Sequence, residues 1–498
     1  MNVNPITRLD YPDPDVIRVE DTYYMVSTTM HFMPGCEILQ SFDLVHWEHA
    51  TYVYETLDHT DAQQLKSGQN IYGQGMWAAS LRYHEGRFYI CFVANDTRKT
   101  YLYTSEKIDG PWKKQLIEGF YHDGSLLFDE DGRNYIVYGN DEIWITELNE
   151  DLTAPKKDGL HRLLVSDHKN PELGYEGSHI QKINGYYYIF LIHSLRDRWM
   201  RTEACFYSDS LEGEFTGGDV LCDDRGYCGQ GVAQGGIVDT PDGKWYAMLF
   251  QDSGAVGRLP ILLPVTWKDH FPVFGQNGHV PEEIEVHSTR PGYIYQPLVG
   301  SDDFCNGLLP RWQFNHDPDP RYYHLDALQG TYTITTREVC TELTQAVNTL
   351  TQRMSYPSCA AEVTVDASAL KEGDVAGLCA LQSCYAAVGI TKHHGKYEVL
   401  MLDKKEDGIL DMTEGTVVES HQMDFRLEAD FCNMKDEARC YYRVNKGDWL
   451  PIGTVHKLYF KLDHFTGCRF GLFCYAAEET GGSACFRDFK YYDVDEIS

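Results

Sequence analysis

The sequence predicts an all-β protein of two domains, a five-bladed β-propeller over residues 1–300 and an antiparallel β-sandwich over residues 301–498. Three observations carry that reading. A single hairpin pattern is written five times in the first 250 residues, its closing tyrosines fall at positions 24, 89, 135, 188 and 246, and beyond it alternating apolar runs replace the repeat. Long helical periodicity is absent throughout.

Each repeat is a turn of Asp, Glu, Asn or Gly followed by aromatic and β-branched residues: Glu20 to Tyr24, Glu85 to Tyr89, Asp131 to Tyr135, Asn184 to Tyr188 and Asp242 to Tyr246. The interval of about 45 to 65 residues is the length of one four-stranded sheet with its loops, hence of one propeller blade. Counting back 12 residues from each closing tyrosine, or 11 in the first blade, reaches Asp13, Trp77, Asp123, Glu176 and Gln234, each followed by Pro, Ala or Gly. In a propeller the first strand of each blade lines a crowded central channel. The offset therefore predicts that these five side chains face one cavity at one end of that channel. Polar turns before an aromatic residue at Ser41 to Glu48, Ser105 to Trp112 and Ser208 to Phe215 read as outer hairpins of blades one, two and four. Arg258 to Val265 is an apolar strand, the stretch to about residue 300 is rich in Pro and Gly, and Asp302-Asp303-Phe304 opens the second region. There, Cys359 to Val365, Tyr385 to Ile390, Tyr397 to Leu402 and Phe470 to Tyr475 alternate as the strands of a sandwich do.

The 75 acidic residues against 43 basic ones leave a net charge of -32 and no basic stripe, which excludes a nucleic-acid partner and suits a neutral substrate. No apolar run approaches the length that spans a bilayer, and the first fifteen residues lack the apolar stretch of a signal peptide, so a cytoplasmic location and no membrane partner are expected. Fifteen cysteines at irregular spacing, among them Cys222 with Cys228 and Cys379 with Cys384, read as buried thiols rather than disulfides or a zinc site. An oligomer is left open.

Three carboxylates in one narrow channel repel one another, an arrangement a fold tolerates when a cation or a reaction needs it. A lone Asp beside Pro or Gly often only caps a turn, but Asp13, Asp123 and Glu176 at matching offsets point to glycoside hydrolysis. That reaction needs one carboxylic acid to protonate the leaving oxygen, and one carboxylate that attacks the anomeric carbon or deprotonates a water. Glu176 is the candidate acid, its pKa expected to be raised by neighbouring anions; Asp13 is the base, and Asp123 orients the acid and holds the charge states. Trp77 offers an apolar face for a sugar ring and Gln234 can both donate and accept hydrogen bonds to hydroxyls, although each residue type also serves as core packing.

Tyr11-Pro12-Asp13-Pro14-Asp15, Met76-Trp77-Ala78-Ala79-Ser80, His122-Asp123-Gly124-Ser125, Glu176-Gly177-Ser178-His179, the run from Gly235 to Tyr246, and Gly257-Arg258 followed by Pro264 to Trp267 resemble, in this order, the blade motifs of glycoside hydrolase family 43. The segments Arg311 to His316 and Asn348 to Arg353 look like the concanavalin-like sandwich attached to its β-xylosidases and α-L-arabinofuranosidases. The resemblance implies an inverting mechanism, with Asp13 as general base, Asp123 as pKa modulator, Glu176 as general acid, and Arg258 binding the glycone. His179, inside one of these segments, and Phe32 join Trp77, Gln234 and Arg258 in the implied substrate-binding set. It also implies an exo-acting enzyme that needs no cofactor and releases terminal α-L-arabinofuranosyl or β-D-xylosyl units from xylan- or arabinan-derived oligosaccharides. Two departures stand out. Val232-Ala233-Gln234 replaces the motif in which many relatives carry a histidine near a central water or calcium ion, so no metal ligand is assigned, and a structural calcium at the propeller centre is left open with its usual coordination missing a member. Met30-His31-Phe32-Met33-Pro34-Gly35 is less aromatic than the run typical of two-domain β-xylosidases, which favours the arabinofuranoside. A non-catalytic carbohydrate-binding propeller and a retaining fructan-type propeller hydrolase are the alternatives.

Overall fold

The computed structural model describes residues 3–461 and 464–493. Five four-stranded antiparallel sheets follow one another in the chain, with innermost strands Asp15–Val19, Met76–His84, Ser125–Phe128, Glu176–Ile183 and Val232–Asp239. These five pack against one another in a closed ring, which makes a five-bladed propeller. Each repeated turn joins an innermost strand to the next strand outward, as Val19 to Thr22 and Ile183 to Tyr186 do. The segments from Ser41, Ser105 and Ser208 are outer hairpins of blades one, two and four.

The propeller is held by five apolar clusters, each wedged between two adjacent blades. Alternation places Leu81, Ile136, Ile189 and Leu249 on these faces, all fully buried, and each such side chain contributes about 1.5–3 kcal/mol. The ring is fastened by the N-terminal segment: Ile6 N–H donates to the Pro260 carbonyl at 3.1 Å, Tyr11 N–H to that of Arg258 at 2.9 Å, and the Asn4 amide bonds both backbone groups of Leu262.

The second domain stacks a nine-stranded sheet on a seven-stranded one around its main core, with a second apolar cluster around Leu343, Tyr385 and Phe473. Ser358–Asp366, Tyr385–His393, Lys396–Lys404 and Arg469–Tyr475 are strands, in the places alternation predicts. One member of the larger sheet comes from the other domain. Phe32–Met33, in the loop between the second and third strands of blade one, pairs antiparallel with Gln313–Asn315, and the sandwich core continues into Ala255, Val256 and Leu259 of blade five. Backbone pairing and shared core fix the two domains as one packed unit.

The fifteen cysteines are all free thiols. Cys379 and Cys384 are buried as expected, whereas Cys222 and Cys228 are exposed, a correction to the sequence reading. They lie just past the outermost strand of blade four and in the following turn, where no neighbouring blade covers them. Among the described residues no helix is long and apolar enough to cross a membrane.

Candidate active site

The five offset residues lie at the N-terminal ends of the innermost strands or two positions before them. Three of those strands open with a register shift, between Met76 and Ala79, Glu176 and His179, and Ala233 and Gly236. Bulges of this kind bend a strand and re-aim its side chains. Asp13, Asp123 and Gln234 share a left-handed backbone at φ 52°, 49° and 64°, and Gly177, next to Glu176, has φ 65°. Asp and Asn tolerate this conformation better than most residues, and a site is where its cost is accepted.

Asp13 is buried with both carboxylate oxygens engaged: Arg258 Nη1 donates to Oδ1 at 2.6 Å and Thr28 Oγ1 to Oδ2 at 2.6 Å. Arg258 is in turn held by Asp252, whose Oδ1 accepts from Arg258 Nε at 3.2 Å while Oδ2 accepts from Arg201 Nε at 2.7 Å. Both guanidiniums are buried, so this chain of two carboxylates and two arginines is electrically closed, which is what makes its burial tolerable.

Asp123 and Glu176 meet around His122. The imidazole Nε2 stands 3.5 Å from Asp123 Oδ2 and 3.4 Å from Glu176 Oε2. Asn140 Nδ2 also donates to Glu176 Oε2 at 2.7 Å, and Gly177 N–H donates to Asp123 Oδ2 at 3.1 Å. Burial and the charges of Glu176 and Asp13 outweigh His122 and push the Asp123 carboxyl up to about 6. Burial also raises Glu176, but the His122 hydrogen bond and charge, with Arg201 and Arg258, outweigh it and hold Glu176 below its ordinary value. This differs from the sequence expectation of a raised Glu176. The cause is His122, whose own pKa is pushed up to about 9 because the surrounding carboxylates outweigh its burial.

The aromatic wall is shared between domains. Trp77 meets the His122 ring at 6.0 Å and that of Phe465 at 5.2 Å, both edge to face, and its Nε1 has no hydrogen-bond partner among the described residues. Phe465 belongs to the sandwich, and the Arg258 guanidinium lies 4.0 Å from its ring centroid. Asp10 sets this approach, its Oδ1 accepting from Arg258 N–H at 2.7 Å and its Oδ2 from Gly467 N–H at 2.8 Å. Gly257 must be glycine here: its φ is 103° and a Cβ would sit 2.1 Å from Asp10 Oδ1.

Gln234 packs its side chain over Gly177, beside Glu176, and its N–H donates to the buried Glu203 at 2.9 Å. His179 lies deeper in the channel, its Nδ1 3.0 Å from Asp15 Oδ1. Phe32 sits at the domain junction, its ring stacked 3.5 Å below the Arg469 guanidinium and 4.3 Å from His31. A cavity of about 410 Å³ opens at the opposite end of the channel, but its cations Arg18, Arg82 and Lys182 are paired with Asp239, Asp15 and Asp129.

A calcium ion at the channel centre does not fit these residues. It takes six to eight oxygen ligands, and both oxygens of Asp15 are taken by His179, Leu81 N–H and Arg82. His122, Asp123 and Glu176 are the one group of three potential donors that converges among the described residues, within 4.8 Å. Their spacing is that of an imidazole between two carboxylates, and a donor set that includes an imidazole nitrogen departs from the all-oxygen shell calcium takes.

Sequence reasoning missed His122, Arg201, Asp252, Thr28 and Phe465. His122 carried a signal, since it precedes a candidate catalytic carboxylate. Phe465 carried none, lying outside any repeat.

A propeller with three carboxylates and a guanidinium at one mouth, roofed by an aromatic from an attached sandwich, defines a two-domain glycosidase. The family model described as glycosyl hydrolases family 43 matches residues 3–272, and that of the β-xylosidase C-terminal concanavalin A-like domain matches residues 301–492. The chain belongs to glycosyl hydrolases family 43. It is 26% identical to a β-xylosidase of Formosa agariphila, over 99% of this chain and 89% of the relative. With a non-reducing end α-L-arabinofuranosidase of Bacteroides ovatus the identity is 24%, over 82% and 79%. Among solved structures, a bifunctional GH43-CE protein of Bacteroides eggerthii superposes with a TM-score of 0.92 at 42% identity, covering 99% of this chain. This chain spans 64% of that longer protein.

Proposed function

We propose that this chain is an exo-acting, inverting hydrolase of terminal α-L-arabinofuranosyl or β-D-xylosyl units on xylan- or arabinan-derived oligosaccharides, residues 1–300 being the catalytic domain and 301–498 closing the site. The observation that carries the reading is the division of the carboxylates into two settings. Asp13 is clamped by Arg258 and Thr28, whereas Asp123 and Glu176 share His122.

In this reading Asp13 takes a proton from a water as that water attacks the anomeric carbon. Glu176 protonates the glycosidic oxygen as the C–O bond breaks, and Asp123 orients it through the His122 ring they share. In this reading Arg258 binds glycone hydroxyls, the Trp77 ring walls the pocket and Gln234 stands beside the acid. Catalysis rests on side chains alone, and no step is assigned to calcium.

A Glu176→Gln variant tests the roles. General acid catalysis supplies about 10²–10⁴-fold, so turnover of glycosides with poor leaving groups falls by that order while sugar binding persists. A binding protein without catalysis would hydrolyse nothing before or after the change. NMR of the anomer first released separates inversion from the retention of a fructan-type hydrolase. The less aromatic Met30 to Gly35 segment favours the arabinofuranoside, so kcat/KM should be higher on aryl arabinofuranoside than on aryl xyloside and unchanged by chelator.

A further inference from the structure

We propose that Asn140 is a positioning residue whose side-chain amide holds Glu176 Oε2, so that the proton of the acid sits on Oε1, the oxygen left open to substrate; the inference rests on the acid role proposed above. Asn140 Nδ2 donates to Oε2 at 2.7 Å, and the His122 ring nitrogen that lies between the two carboxylates stands 3.4 Å from the same oxygen. Oε1 accepts from none of the described residues. An oxygen that receives two N–H donors is the carbonyl oxygen of a carboxylic acid, because an O–H there would face donors and find no acceptor. The proton is left to Oε1.

The backbone places this amide. Asn140 ends the second strand of blade three, Asn134–Asn140, and pairs with Glu142 across the turn. The residues on either side of it are tied to chain next to the reacting groups: Gly139 N–H donates to the His122 carbonyl at 3.1 Å, and Asp141 N–H donates at 2.9 Å to that of Tyr175, the neighbour of Glu176. Gly139 has φ 142°, and a Cβ on it would sit 2.0 Å from the Glu142 carbonyl oxygen, so the turn needs glycine there. Asn140 itself is exposed, and the bond to Glu176 is the one its side chain makes among the described residues. A surface amide pinned on both sides in this way acts through that bond rather than through packing.

In the proposed reaction the Oε1–H bond of Glu176 breaks and an O–H bond forms on the glycosidic oxygen, which takes the electron pair of its bond to the anomeric carbon. The charge left on Glu176 spreads onto Oε2, where the Asn140 and His122 N–H groups already point, and donors aimed at developing charge need no reorganisation. The charged groups that face the acid are His122 and Asp123 of blade three, Arg201 on its own blade and Arg258 of blade five, with Asp13 of blade one acting on the same His122. Asn140 is neutral, so its hold on Oε2 persists at every pH at which these groups change charge.

Comparing Asn140→Ala and Asn140→Asp with the parent enzyme on two leaving groups tests the proposal. A dinitrophenyl glycoside needs no acid, whereas a disaccharide does. At the plateau of the pH profile, Asn140→Ala should lose about tenfold in kcat/KM on the disaccharide, part of the roughly 10²–10⁴-fold that general acid catalysis supplies, and less than about twofold on the dinitrophenyl glycoside. Removing a donor to the carboxylate raises the pKa of Glu176, and Asn140→Asp, which keeps the shape but sets an anion there, raises it more. The limb on which the acid loses its proton should therefore move to higher pH in both variants, further in Asn140→Asp. In a Glu176→Gln background the Asn140→Ala change should cost less than about twofold on either substrate, because the group it serves is gone. Equal losses on both substrates with an unmoved limb, or a further loss of the full size in Glu176→Gln, would overturn the proposal. Both single variants should melt with the parent, and a lowered Tm without the split between leaving groups would make Asn140 structural and overturn it as well. Failure of the acid role itself reads differently: Glu176→Gln would lose as much on the dinitrophenyl glycoside as on the disaccharide, or the parent would hydrolyse neither.

Discussion

The Arg258 guanidinium lies 4.0 Å from the ring centroid of Phe465, so a side chain of the sandwich covers the cation that binds the candidate base Asp13. Contact across an aromatic face is worth about 0.5–2 kcal/mol, more where water is excluded. Phe465 is 4% exposed and Trp77 meets its ring edge to face. Phe465→Ala should therefore lower kcat/KM about tenfold, mainly through KM, because the roof of the site is lost while the carboxylates remain. Phe465→Leu keeps much of the volume without the π face and should fall between the two. Equal kinetics for Phe465→Leu and the parent would remove the cation–π contribution.

Arg258 itself joins Asp13 and Asp252 in the buried charge chain. Its removal leaves Asp13 without its cation while Asp252 keeps Arg201, and breaking a buried pair in this way costs about 3–5 kcal/mol. Arg258→Ala should melt well below the parent and lose nearly all activity. Arg258→Lys restores one charge but cannot hold both acids with a planar fork, so it should recover thermal stability more than turnover. Thermal melts and kcat/KM measured on the same samples decide whether the two losses separate.

The blades were legible because each sheet is built from consecutive chain, so turn chemistry recurs at the same distance from the innermost strand. The same regularity explains why Asp13, Asp123 and Glu176 stand at equivalent places. Relationships that cross blades or domains left no such trace. The strand Phe32–Met33 is too short for alternation to register, and its partner Gln313–Asn315 lies in the other domain. Arg201, on the third strand of blade four, and Asp252, on the second strand of blade five, lie outward of the residues lining the channel and are tied to the site by hydrogen bonds that run to Arg258. The lowered Glu176 was illegible for a different reason: it depends on where the His122 ring turns, which residue order alone does not convey.

The junction between domains carries a pH-dependent clamp. Arg353 Nη1 forms an ion pair with Glu37 Oε2 at 2.8 Å, and His49 Nδ1 lies 3.0 Å from Oε1. Burial raises Glu37, but Arg353 and His49 outweigh it and lower its pKa to about 2 from 4.5. A depressed carboxyl stabilises the fold above its unfolded pKa, and that stability is lost as pH falls through the folded value. The shift corresponds to about 3 kcal/mol, lost between roughly pH 4.5 and 2. Glu37→Gln should melt lower than the parent at pH 7, with the gap closing toward pH 3. A gap that stays constant across that range would assign the loss to packing rather than charge.

Glu203 has the opposite sign. It is fully buried in blade four, one oxygen accepts from Gln234 N–H, and burial raises its pKa well above 4.5 despite that bond. A group that holds its proton more tightly folded than unfolded stabilises the fold below the unfolded pKa, and stability falls as pH rises from there toward the folded value. Above about pH 4.5 the unfolded chain sheds this proton while the folded chain keeps it. Glu203→Gln keeps the shape, the acceptor for Gln234 and a neutral group, and removes that loss. The variant should match or slightly trail the parent at pH 4 and exceed its Tm increasingly from pH 5 to pH 8, with kcat/KM little changed because Glu203 reaches the site only through the backbone of Gln234. A Tm difference that does not grow with pH would mean that Glu203 ionises without cost in the folded propeller.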